Sequence, residues 1–115
     1  MNINPIIESA LAGIGCPVSA IKISDAGKPE TYITYYTTME NGELFGDDEE
    51  IGGATYATAD IFSQRNFKVL VRDVKKALNA AGFTVTSAGP EMWEKDTGYY
   101  HVPVEFYTED IPEEG

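Results

Sequence analysis

One imidazole and one thiol, His101 and Cys16, bound the nucleophilic chemistry open to this chain of 115 residues. Thiol catalysis needs the two in contact, with the base oriented by a third group. Cys16 follows the first helical stretch and His101 lies in the last strand, so contact would depend wholly on tertiary structure. The expected state is a packed thiol and a surface imidazole. Ser9, Ser19, Ser24, Ser63 and Ser87 lie in no nucleophile-elbow pattern. A lone cysteine can form neither an intrachain disulfide nor a cysteine-rich zinc site. The run Asp47, Asp48, Glu49, Glu50 offers carboxylates to a hard cation, but consecutive acids lack the alternating ligand rhythm of an EF-hand loop and read as solvated. Gly52 and Gly53 precede a strand instead of opening a helix, so they make no phosphate cradle. No catalytic residue, metal site or cofactor is therefore expected, and the chain reads as a non-enzyme. A small binding enzyme would require a deep pocket around His101 or Cys16.

Charge is the strongest compositional signal: 19 acids against 8 bases, a net charge of −11 and a pI near 4.3. Such a surface repels nucleic-acid phosphates and anionic membranes unless one face is locally basic. The charges are segregated. Residues 41–60 hold six acids and no base, residues 91–115 hold eight acids against Lys95, and five of the eight bases fall between Arg65 and Lys76. That pattern fits head-to-tail contact between a basic and an acidic face, and it equally fits a merely solvated helix face. No apolar run approaches the ~20 residues of a membrane-spanning helix, and the first Lys or Arg is Lys22, so no basic start precedes an apolar leader. The expected location is the cytoplasm in which the chain is made.

The elements that must carry these residues follow from periodicity. Ile3, Ile6, Ile7, Ala10, Leu11 and Ile14 recur at helical spacing, with Asn4 as cap, Pro5 in the first turn and Gly13, Gly15 and Pro17 closing the pattern. A short strand is expected over Val18–Ile23. Thr31–Glu40, dense in Tyr and Thr, reads as a strand, as does Ala54–Ser63, where Thr55, Ala57, Ala59 and Ile61 alternate with Tyr56, Thr58, Asp60 and Phe62. The acidic stretch between them exceeds a tight turn and predicts a projecting arm or flexible loop. Phe67–Ala81 is the clearest helix: Phe67, Leu70, Val71, Val74, Leu78 and Ala81 form one stripe, Lys68, Arg72, Lys75, Lys76 and Asn79 the other, with Asn66 as cap and Gly82 as terminator. Phe83–Ala88 and Tyr99–Thr108 complete the strands, the last with Tyr100, Val102, Val104 and Phe106 inward and an edge or bulge at Pro103.

These elements predict an α+β domain over residues 1–109, with a mostly antiparallel sheet of about five strands, two amphipathic helices on one face and a flexible acidic tail over residues 110–115. The other sheet face would carry Tyr32, Tyr36, Tyr56 and Tyr107, either as an exposed interface patch or as a cap on the rim of the core.

Read in order, Tyr32-Ile33-Thr34-Tyr35-Tyr36, Ala59-Asp60-Ile61-Phe62-Ser63, the Phe67–Gly82 helix and Glu94-Lys95-Asp96-Thr97-Gly98-Tyr99-Tyr100-His101 form a series. It resembles the small tail-terminator, or tail-completion, proteins of long-tailed bacteriophages and their prophages, over about Ile6 to Tyr107. One departure is the placing of Pro29, which Glu30 and Thr31 separate from the Tyr that it usually abuts. The resemblance implies a virion protein, assembled in the host cytoplasm, that caps the tail tube as a ring, commonly of six copies. Such a ring ends tube polymerisation and forms the head-joining surface. The implied partners are further copies of itself, the tail tube protein and a head-completion or connector protein, with DNA passing only through the lumen and no membrane. Ring closure is a heterologous contact that requires two different complementary patches. Lys68, Val69, Arg72, Lys75 and Lys76 on the second helix and Asp47, Asp48, Glu49 and Glu50 on the loop are the candidates. The charge alone also fits another class, an acidic DNA mimic that inhibits a host nucleic-acid-processing protein.

Overall fold

The computed structural model describes residues 3–20, 29–40 and 54–109. Two helices and six strands run in the order α1 (Asn4–Leu11), β1 (Val18–Ala20), β2 (Thr31–Glu40), β3 (Ala54–Ser63), α2 (Lys68–Ala80), β4 (Thr84–Ala88), β5 (Met92–Glu94) and β6 (Tyr99–Glu109). The sheet order is β1-β2-β3-β6-β4, with β5 also paired to β6. Only β1 and β2 pair in parallel. The α+β architecture and the single helix-covered face match the expectation from sequence. The sixth strand does not: β5 is a three-residue strand whose alternation is too short to register as a period.

Both helices lie on one side because one face of every long strand is apolar. Ile33 and Tyr35 of β2, Ala57, Ala59 and Ile61 of β3, and Val102, Val104 and Phe106 of β6 form one core with Ile3, Ile7 and Leu11 of α1 and Val74 and Leu78 of α2. The alanines of β3 leave room in the middle of the sheet for these larger helical side chains. In α1, Ile6 is 36% exposed and stands outside the stripe assigned to it. Asn4 is the first residue of the helix and not its cap, a position taken by Ile3 without a side-chain hydrogen bond.

The ends of α2 follow the sequence signals closely. Asn66 is not the cap itself, a position that Phe67 takes without a side-chain hydrogen bond, but from one residue before it Asn66 Oδ1 accepts the Lys68 amide at 2.9 Å, satisfying a first-turn donor that has no partner within the helix. At the other end Gly82 takes φ +99°. The Gly82 amide donates to the Asn79 carbonyl and the Phe83 amide to the Leu78 carbonyl, the paired bonds of a Schellman closure. Phe83 is thereby turned inward onto Phe106, with ring centroids 5.0 Å apart.

Pro103 corrects the expectation of an edge or a bulge. β6 is central, and Pro103 pairs in register with Asp60 of β3. Its carbonyl accepts the Gly89 amide at 2.8 Å, so its backbone polar side faces the flank on which β4 gives way to β5. The missing N–H thus falls on the flank between two short strands, off both ladders.

Candidate functional site

The face of the sheet turned away from the helices is built from the second alternation of the same strands. Cross-strand register places Tyr32, Phe62 and His101 in one row. Tyr32 and Phe62 stack at 4.8 Å and Phe62 and His101 at 4.4 Å, while Tyr99 meets Tyr32 edge-on and donates its hydroxyl to the Pro29 carbonyl at 2.6 Å. Tyr56 and Tyr107 form a second, half-buried stack at 5.2 Å, and Tyr36 is exposed. The four tyrosines expected on this face are all there. They divide between the two roles: Tyr32 is buried within the aromatic row, whereas Tyr36 faces solvent.

His101 is not the surface imidazole expected from sequence. Its side chain is 19% exposed, its Nε2 lies 2.8 Å from Asp60 Oδ1, and its Nδ1 lies 3.5 Å from Glu94 Oε2. The closer contact is a hydrogen bond donated to a carboxylate that is itself 14% exposed. Sequence spacing could not reveal this meeting, because three separate strands contribute to it. Cys16 packs against the core on the helix side, where burial raises its thiol pKa, so the sheet stands between thiol and imidazole and the two form no dyad. Among the described residues no hydroxyl or thiol is hydrogen-bonded to His101. No group of three or more His, Cys, Asp and Glu residues there can hold a metal.

Replacing His101 by Phe should keep the stack on Phe62 and strand the Asp60 carboxylate without its donor. The expected cost is about 1–3 kcal/mol. Adding Asp60→Ser should recover much of it. Equal denaturation midpoints for the wild type and His101→Phe would remove the Asp60–His101 bond from the account of this face.

The second feature is the outer face of α2. Lys68, Arg72, Lys75 and Lys76 are exposed, as is Val69, at 54%. Arg72 Nε is 3.7 Å from the adjacent Asp73 carboxylate, and Arg65, just before the helix, pairs with Glu30 at 2.6 Å. Lys68, Lys75 and Lys76 have no carboxylate within salt-bridge distance among the described residues. Among the described residues, a cationic strip therefore stands open on a strongly acidic chain. Asp47, Asp48, Glu49 and Glu50, the acidic half of the expected pair, lie outside the described residues, as do the rest of residues 41–53, expected as an arm or flexible loop, and residues 110–115, expected as a flexible tail.

No protein-family model matches the chain, and no curated protein shows significant similarity to it.

Sequence reading missed the aromatic edge beside that strip. Trp93, the only tryptophan, is 56% exposed on β5 and packs on Tyr100 at 4.7 Å; Tyr100 in turn packs on Phe67 at 5.1 Å. Phe67 and Tyr100 line a groove of about 490 Å³ at the start of α2, with Trp93 beside them on Tyr100. A usable signal was present: a lone Trp followed within a few residues by the Asp-Thr-Gly turn, which places Trp and Tyr on facing strands.

Proposed function

We propose that the chain is a structural subunit of a long-tailed bacteriophage or prophage. It closes with copies of itself into a ring on the end of the tail tube, ends tube growth and offers the joining surface for the head. The observation that carries this reading is the exposed cationic strip Lys68, Arg72, Lys75 and Lys76 on a chain of net charge −11. A ring of identical copies needs two unlike, complementary patches on each, and the strip together with the acidic loop supplies that pair. The ordered motifs of the tail-terminator resemblance give the pair its context. An acidic DNA mimic is the less favoured reading, since the helix-free sheet face carries aromatic rows where phosphate mimicry needs an array of carboxylates.

Asp47, Asp48, Glu49 and Glu50 would then supply the acidic patch that meets the cationic strip of a neighbouring copy. Replacing all four by Ser in a phage that carries this gene should lower the yield of infectious particles or alter tail length. Unchanged DNA delivery with tails of normal length would end that assignment. Electron microscopy of particles made without the gene tests the reading as a whole. Overlong or headless tails are expected, and intact virions would reject it.

A further inference from the structure

We infer that the groove at the start of α2, walled by Phe67 and Tyr100 and edged by Trp93, is the docking site for residues 43–51 of a second copy of this chain. The inference deepens the ring reading by naming the contact. The groove is lined by Gln64, Arg65, Asn66, Phe67, Lys68, Glu91 and Tyr100, and within this mostly polar lining Phe67 and Tyr100 form an aromatic wall that can accept an apolar anchor. Residues 43–51 read Glu-Leu-Phe-Gly-Asp-Asp-Glu-Glu-Ile: two adjacent apolar side chains, Leu44 and Phe45, followed by four carboxylates.

Dimensions match along the helix. With Phe45 in the groove, an extended run from Phe45 to Glu50 covers about 17 Å. Lys68 to Lys76 occupies about 12 Å of helix axis. The acids would therefore lie over Lys68, Arg72, Lys75 and Lys76. Arg65 and Glu91 at the groove offset each other in formal charge, and Arg65 is already paired with Glu30. The aromatic wall of the groove is thus what an apolar anchor would meet, and the helical strip selects for charge.

The topology excludes the chain's own segment. Ser63 of β3 pairs with Tyr100 beside the groove, whereas Ala54, where the 41–53 connection joins β3, pairs with Glu109 at the far end of the sheet. The ten residues of β3 put roughly 30 Å between those ends. A connection of residues 41–53 anchored at both its ends can extend no more than about 25 Å from them even at full stretch. Nothing would remain to lie in the groove. Occupancy must come from a neighbour, which makes the contact heterologous and able to propagate around a ring.

The test uses the full-length protein and a synthetic peptide of residues 41–53, with fluorescence of the sole Trp93 as the readout. Saturable binding with a blue shift of Trp93 emission and protection from acrylamide is expected. Affinity should fall about tenfold or more when the peptide carries Phe45→Ser, and should also fall on raising salt from about 50 to 500 mM. Lys68→Glu in the protein should weaken binding while leaving its thermal midpoint near that of the wild type. No binding at millimolar peptide, equal binding of the Phe45→Ser peptide, or tighter binding of a peptide of residues 109–115 would each overturn the assignment. Because the peptide bypasses assembly, these failures are separate from failure of the tail phenotype above.

Discussion

Phe106→Ala is expected to destabilise the folded protein by about 3–5 kcal/mol, a large share of the 5–15 kcal/mol that holds a domain of this size together. Phe106 is 1% exposed at the centre of β6, between β3 and β4, and meets the ring of Phe83 just beyond the Schellman turn of α2. Truncation removes the transfer free energy of the ring and leaves a cavity that can collapse only if α2, β4 and β6 move together. Those elements are bound by backbone ladders and a capped helix end, so relaxation should be incomplete. Urea denaturation of both proteins at neutral pH gives the comparison. A loss below about 1 kcal/mol would mean that the helix-to-sheet packing described for Phe83 and Phe106 is wrong, because no well-packed buried Phe is so cheaply removed.

Alkaline pH should destabilise the protein through Tyr35. This residue is 1% exposed on the helix-side face of β2, and its hydroxyl donates to the carboxylate of Glu8 on α1. Burial first, then the hydrogen bond and the charge of Glu8, push its pKa from the ordinary 10.0 to about 12. The folded-state pKa is raised, so between these values the unfolded chain has released the phenolic proton while the native state still holds it. Stability from this group is complete below pH 10 and is lost as pH rises towards 12. Two units correspond to roughly 2–3 kcal/mol. Tyr35→Phe should cost on the order of 1 kcal/mol at neutral pH and should show a shallower decline at high pH. The remaining tyrosines are common to both proteins and cancel in the difference. A stability difference that stays constant from about pH 9 to 11.5 would show that Glu8 and Tyr35 do not pin α1 to β2.

Local chemistry made most of the fold legible. The Phe67–Ala81 stripe, Asn66 and Gly82 predicted α2 to within a residue at each end, because a capping amide, a 3.6-residue period and a left-handed glycine act on the backbone within a few residues of themselves. The alternation of β3 is likewise local, and both its faces match the expectation. What sequence left open depended on partners. Pro103 looked like an edge signal, yet its missing donor is accommodated by a gap between β4 and β5 that only the strand order creates. β5 itself, three residues long, owes its existence to pairing with β6 and not to propensity.

The candidate surfaces divide in the same way. By itself the sequence determined an acidic chain with half of its eight bases on one helix, since charge and helical period are additive over neighbouring residues. Tertiary structure alone decided that His101 lies between Asp60 and Glu94, that the sheet separates it from Cys16, and that Phe67 and Tyr100 line one groove with Trp93 packed on Tyr100. Those meetings join residues from different strands and from α2, and pairing register, a long-range property of the sheet, is what brings them together.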